Sequence, residues 1–236
     1  AVTSPELALL FLSGIIGLTI GDYFYFSALK EMGPRQTTQL FALHPVASTI
    51  IAWFVLSERL SILTLLGICV AIVGTILVAS ERRRHEPNFR PATLKAILYT
   101  VFATVCHAVG FVIAKYVMAT KMSTLTGGFL RMFSATVAIW IGALIAGQLG
   151  STVRSLSTPL RIKLILGGSI LGPTLGVWAA LEGITHTEVG VASTLIALTP
   201  ILVIPLVAII HKERLSARAI IGALIAFLGV AIIFVE

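Results

Sequence analysis

The sequence predicts an all-α fold, a polytopic bundle of transmembrane helices with no room for a soluble domain. Three observations predict it. Of the 236 residues, 57% are hydrophobic and only 11% charged, against about 25% charged in a soluble domain, which must cover its surface with polar groups. Eight apolar runs approach the roughly 20 residues that cross a bilayer as helix. Three of those runs return later in the chain at one fixed spacing, together with their polar punctuation.

In chain order the runs are 7–29, 37–56, 62–78, 94–118, 126–149, 162–181, 189–210 and 217–235. Each is read as helix, because a lipid-facing strand alternates apolar and polar residues and these do not. The connections are short except 80–92 and 150–160, which carry Pro and polar residues and are too brief for a domain. Cys69 and Cys106 lie inside apolar runs, which argues against a structural disulfide or a zinc site. The opening Ala-Val-Thr-Ser-Pro-Glu lacks the basic start of a signal peptide and has no initiator Met. The numbering is therefore expected to begin inside a longer gene product.

The net charge of +7 does not point to nucleic acid, since the cations sit in short gaps between apolar runs. Successive gaps alternate across a membrane. Lys30 and Arg35, the Arg82–Arg84 cluster with Arg90 and Lys95, then Arg154, Arg161 and Lys163, and finally Lys212, Arg214 and Arg218 all fall on one side. The other side holds Arg59, Lys121 and Lys115 with the acids Glu6, Glu182, Glu188 and Glu236. Cytoplasmic loops of bacterial-type membrane proteins are enriched in Lys and Arg. The basic loops are thus expected on the cytoplasmic side of the inner membrane, with the C-terminus external. Topology is the plain reading of Arg82–Arg84, and lipid headgroup or nucleic-acid binding is its rival.

Adding 155 to Pro45 gives Pro200, and adding it to Glu58-Arg59-Leu60-Ser61 gives Glu213-Arg214-Leu215-Ser216. The same register relates Gly17 to Gly172, Gly21 to Gly176, Gly67 to Gly222 and Gly74 to Gly229. The first three runs thus correspond to the last three, while the fourth and fifth have no earlier partner. The repeating unit is five helices. Five is odd, so successive units point in opposite directions, as the charge sides of Glu58-Arg59 and Glu213-Arg214 also require. Inverted repeats of this kind are built around a substrate site near the bilayer midplane.

A Pro in the fourth helix of a unit, Glu-Arg-Leu between the fourth and fifth, and paired glycines in the fifth resemble the EamA family of the drug/metabolite transporter superfamily. The residues are Pro45, Glu58, Arg59, Gly67 and Gly74, then Pro200, Glu213, Arg214, Gly222 and Gly229, with Lys115 and Arg131 at positions often basic in such units. The resemblance covers essentially the whole chain. It implies that 1–80 holds the last three helices of a first unit, that 81–92 is a basic linker, and that 93–236 is a complete second unit. The first two of ten family helices would then be missing. The external C-terminus departs from the family's habit.

Each candidate site residue has two readings. Glu58-Arg59 and Glu213-Arg214 are either gate pairs or structural: Glu capping the next helix, Arg neutralising carbonyls or lipid phosphate. Arg131, several residues inside a run, either holds an anionic substrate group or snorkels to the interface. Lys115, nearer a helix end, is expected to snorkel. Asp22 either takes part in proton coupling or amine binding, or pairs with a neighbour. His44 and His107 are either proton relays or satisfied hydrogen-bond partners. Pro45 and Pro200 free backbone carbonyls or merely kink helices. The aromatics Tyr23, Tyr25, Phe111, Tyr116 and Trp178 either line a cavity or face lipid. The glycine pairs are read as close helix packing.

No phosphate-binding loop, metal motif or nucleophile elbow is encoded, so neither an ATP-driven pump nor an intramembrane hydrolase has support. No cofactor and no metal are expected. The expected partners are membrane lipids and a small-molecule substrate, not nucleic acid; a homodimer is left open. The resemblance implies a secondary transporter that exports small organic metabolites such as amino acids by alternating access. The alternative is a non-transporting membrane scaffold or a partner-dependent membrane subunit.

Overall fold

The computed structural model describes residues 4–79, 92–155, 158–199, 201–202 and 217–235. Among the described residues there is no strand. Five helical spans among the described residues are long and apolar enough to cross a membrane: Ser4–Met32, Gln36–Leu56, Leu94–Met118, Thr124–Ile145 and Pro159–His186. Ile62–Val78 and Ala217–Ile233 are shorter apolar helices. The outward faces carry many large apolar side chains, with residues such as Phe54, Ile62, Leu144 and Leu171 exposed. The protein is a multi-pass membrane protein in contact with lipid.

The first span is α1 (Ser4–Gly14), a π-helical turn (Ile15–Ile20) and α2 (Gly21–Met32). Gly33, at φ 82°, ends α2 in a backbone region that favours glycine. The second span is α3 (Pro34–Phe41) and α4 (His44–Leu56). Then follow α5 (Ile62–Ala79), α6 (Leu94–Lys121) and α7 (Thr124–Ile145). Thr93 and Ser123 cap α6 and α7 by accepting from the N–H groups of Ala96 and Thr126. The run expected over 126–149 stops at Ile145, because Gly147 turns the chain at φ 67° before a short α8 (Leu149–Ser155). The sixth span, expected over 162–181, extends further: α9 (Pro159–Ser169), a π-helical turn (Ile170–Gly176) and α10 (Val177–His186). α11 (Val189–Ala197) and α12 (Ala217–Ile233) complete the order.

The 155-residue register governs the backbone as well as the sequence. The π-helical turns at Ile15–Ile20 and Ile170–Gly176 coincide under it. So do two interruptions. Leu43 sits at φ −79°, ψ −1° and Leu198 at φ −74°, ψ −6°. Leu43 N–H donates to Leu40 O, and Val46 and Ala47 turn back to Leu43 O; Leu198 N–H donates to Leu195 O, and Ile201 and Leu202 turn back to Leu198 O. Pro45 supplies the cause in the first copy, since it has no N–H to continue the helix. Pro200 lies outside the described residues.

The two fifth helices of the repeat, α5 and α12, pack against each other antiparallel. A Cβ built on Gly67 would lie 2.8 Å from the Gly229 carbonyl oxygen, and one on Gly74 would lie 2.6 Å from the Gly222 carbonyl oxygen. These two contacts are the same contact, exchanged by the register, so the helices are related by a pseudo-twofold and the repeat is inverted. Only hydrogen side chains admit such an approach, which maximises dispersion between backbones that gain nothing from excluding lipid. Around this pair, α6 is the hub and meets α1, α2, α3, α4, α7, α10 and α11. A core of Leu10, Val117, Met118, Leu181 and Ile184 joins α1, α6 and α10.

One pair of equivalent spans differs. The window of Ser4–Met32 is 28% buried, that of Pro159–His186 only 6%. Gly17 and Gly21 meet α6, whereas a Cβ on Gly172 would meet nothing within 4 Å among the described residues, and one on Gly176 only the Leu171 oxygen at 4.0 Å. Close packing was expected of both pairs and holds for the first. The second lies on a face that no described residue covers.

Gly74→Leu is expected to destabilise the detergent-solubilised protein by about 1–3 kcal/mol, as over-packing does, whereas Gly142→Leu, where nothing lies within 4 Å, leaves thermal unfolding unchanged. Equal melting temperatures for the two variants would remove the seam from the account.

Candidate functional site

Arg131 is the largest fully buried side chain, 0% exposed. It lies two turns into α7, above Gly127 and Gly128, whose missing side chains let Met118 and Leu181 press close. Its Nε and Nη1 have no hydrogen-bond partner among the described residues. The guanidinium stands 5.8 Å from the centre of the Phe111 ring. A Cβ on Gly17 would lie 3.4 Å from Nη2 and 3.3 Å from the Gly110 Cα, so two glycines on facing helices make the room in which the guanidinium sits. Snorkelling is excluded by the burial. The charge is held inside, at an insertion cost of about 2.5–3.5 kcal/mol, with ring electrons as its visible compensation.

A continuous strip of polar and aromatic groups leads away from it. Phe111 stands edge-on to His44 at 5.5 Å, and His44 stacks on Phe41 at 5.5 Å and 20°. The helix interruption at Leu43, traceable to Pro45, is what sets Phe41 and His44 face to face. Phe41 in turn meets the edge of His107 at 5.2 Å and of Tyr25 at 4.8 Å. His107 Nε2 lies 3.1 Å from Asp22 Oδ1, and its Nδ1 lies 2.9 Å from the Ala103 carbonyl oxygen. Ser48 Oγ is 3.4 Å from His44 Nε2. Gly21 admits His107: a Cβ there would fall 2.6 Å from Nδ1.

The structure thus brings Asp22, His44, His107 and Arg131 into one strip, joined by Phe41 and Phe111. Trp178 is elsewhere. It is 41% exposed and borders an open cleft on α10 with Glu182 and His186. Phe41 is the residue that sequence reading missed. Its position three residues before His44, ahead of a helix-breaking Pro45, is the signal that would have found it.

Glu58 and Arg59 separate. Arg59 is exposed, while Glu58 reaches across to another helix. Capping of the next helix was one of the two readings of Glu58, but that role falls to Ser61, whose Oγ accepts from Thr64 N–H at 3.1 Å. Glu58 Oε2 instead accepts from Val189 N–H, the first of α11, at 2.9 Å, where a carboxylate is favoured by the helix dipole. Lys115 does not snorkel. Its Nζ donates to the Thr187 carbonyl and forms an ion contact with Glu58 Oε1, each at 2.6 Å. Nearby, Thr124 Oγ1 donates to a Glu182 carboxylate oxygen. Helices α4, α6, α7, α10 and α11 are tied together at this one end of the bundle. The equivalents Glu213 and Arg214 lie outside the described residues. Among the described residues no cluster of His, Cys, Asp or Glu is arranged to hold a metal.

An arginine buried without a carboxylate is a liability to the fold. Arg131→Met keeps the volume and removes the charge, and is expected to raise the melting temperature of the ligand-free protein by at least about 2 °C, equivalent to about 1 kcal/mol. A structural arginine gives the reverse, a clear loss of stability, in the same thermal measurement.

The comparisons with known proteins agree with this architecture. The chain is 23% identical over 232 residues to an uncharacterized transporter of Clostridium kluyveri, covering 97% of this chain and 72% of that protein. A solved crystal structure superposes with a TM-score of 0.72 at 20% identity, over 95% of this chain and 75% of that one, and shares its fold. The model of the EamA-like transporter family matches residues 2–80 and 94–235, which takes in the glycine seam, Asp22, both histidines and Arg131: the chain belongs to the EamA-like transporter family.

Proposed function

We propose that the protein is a secondary transporter that exports small organic metabolites such as amino acids across the cytoplasmic membrane, and that Arg131 anchors the carboxylate of the solute. The observation that carries this is the fully buried guanidinium whose Nε and Nη1 have no partner among the described residues. A charge kept in low dielectric without its counter-ion favours a ligand that brings one, and a charge-assisted hydrogen bond there is among the stronger polar contacts available. Phe41, Phe111 and Tyr25 offer apolar surface beside it for the body of the solute. A solute bound near the middle of the bundle is released by rocking one half of an inverted repeat against the other, which is alternating access.

In this reading the basic loops are cytoplasmic and the Glu58–Lys115–Val189 junction closes the external end, so the C-terminus is external too. Residues 1–80 supply the last three helices of one unit, 81–92 a linker and 93–236 a complete second unit. The uncovered face of α9 and α10 supports this division. It is the counterpart, under the pseudo-twofold, of the face by which α1 and α2 meet α6 and α7, and two further helices belong there in the working assembly.

The test is counterflow in proteoliposomes. Vesicles loaded with a mixture of the common amino acids take up trace radiolabelled mixture faster than protein-free vesicles. Arg131→Met lowers that rate at least about tenfold, because a buried anion loses its only counter-charge, while Trp178→Phe leaves it unchanged. Counterflow at the wild-type rate in Arg131→Met removes the anchor, and none in the wild type removes amino acids as the cargo.

A further inference from the structure

The Asp22–His107 pair has a geometry that fixes where its protons are. His107 Nδ1 lies 2.9 Å from the Ala103 carbonyl oxygen. A carbonyl only accepts, so Nδ1 carries hydrogen. The other ring nitrogen, Nε2, lies 3.1 Å from Asp22 Oδ1. With Nδ1 already protonated, a neutral imidazole offers Asp22 only the Nε2 lone pair, which an ionised carboxylate repels. The contact is a hydrogen bond only when one more proton is present, on Nε2 of an imidazolium or on the carboxyl of Asp22. For both contacts to be hydrogen bonds, the pair must hold one proton beyond neutral His and ionised Asp.

That proton has structural leverage. The pair is a polar link between the start of α2 and the middle of α6, where Gly21 also meets the His107 ring and Phe24 meets Phe102; Glu31 and Lys95 form a second link where α2 ends and α6 begins. α2 begins where the π-helical turn Ile15–Ile20 ends, and such turns inside α-helices are frequent at functional sites. Gly17, in that turn, is also the residue that faces Arg131 Nη2. Loss of the proton removes this one link between α2 and α6, beside the segment that shapes the anion site.

Few other titratable groups face the pair. His44 on α4 stands 6.4 Å from His107, ring to ring, and Tyr25 on α2 meets Phe41 of α3. Cys106 precedes His107 on α6 and is buried. Arg131 of α7 lies beyond Phe111. Lys95 and Lys115, nearer the two ends of α6, are engaged by Glu31 and Glu58.

We propose that Asp22 and His107 form the coupling site of the transporter, binding and releasing one proton in each cycle. This rests on the transport reading above, and the two are tested apart. In proteoliposomes with equal pH on both sides, counterflow of the amino-acid mixture reports transport alone. With an imposed pH gradient, accumulation of the same label above equilibrium reports coupling. Asp22→Asn and His107→Gln are expected to lose gradient-driven accumulation, read for each variant relative to its own counterflow at equal pH, because the neutral amide retains a hydrogen bond without a titrating proton. Gradient-driven accumulation at the wild-type level in Asp22→Asn overturns the proposal. So does infrared titration of the purified protein in which Asp22→Asn and His107→Gln fail to remove the same single protonation event. Absence of counterflow in the wild type bears on the cargo instead, and the infrared titration then decides the proton site alone.

Discussion

The fold depends on how closely α5 and α12 approach. Lipid tails are as apolar as leucine, so two helices in a bilayer gain nothing merely by touching; they gain dispersion only where their backbones come near. Gly67 and Gly74 on one helix, Gly222 and Gly229 on the other, bring carbonyl oxygens to within 3 Å of where a Cβ would stand. Each contact is duplicated by the pseudo-twofold, so one short sequence element, used twice, makes both sides of its own interface. That seam fixes one side of the interface between the two halves, and the packing of α1 to α4 on α6 encloses the polar groups on the other.

Those polar groups fall into two sets with different chemistry. At one end of the bundle Glu58, Lys115 and the first N–H of α11 satisfy one another, so that junction is stable as it stands and opens only by breaking a half-buried ion pair. In the interior Arg131 is buried, and its Nε and Nη1 find no partner among the described residues. A fold selected for stability alone would replace it with an apolar side chain. Gly17, Gly110, Gly127 and Gly128 make room around it, and Phe111 offers it a ring face. A solute that carries an anion completes what these residues leave incomplete.

Much of this was legible in the sequence, because its causes are local or periodic. Apolar run length gives the spans, and the 155-residue register gives the inversion, down to the matched π-helical turns and the matched interruptions at Leu43 and Leu198. Asp22, His44, His107 and Arg131 were legible as candidates, since ionisable residues inside apolar runs are rare. What they touch was not. The Asp22–His107 contact joins residues 85 apart, and nothing local to either announces the other. Glu58 was misread for the same reason: a carboxylate just before a helix looks like that helix's cap, yet it caps α11, 131 residues away. Gly172 and Gly176 copy Gly17 and Gly21 in sequence, but whether a glycine packs depends on what lies opposite, which the repeat does not encode within these residues.

The central claim is that Arg131 waits for an anion, and the thermal shift produced by matched ligand pairs tests it most directly. The purified protein is melted with each common amino acid and with its C-terminal amide, at equal concentration, in wild type and in Arg131→Met. Stabilisation by carboxylates and not by their amides, present in wild type and absent in Arg131→Met, is the predicted result. Amides that stabilise the wild type as well as the acids do, or an Arg131→Met protein that keeps the carboxylate shift, would contradict it.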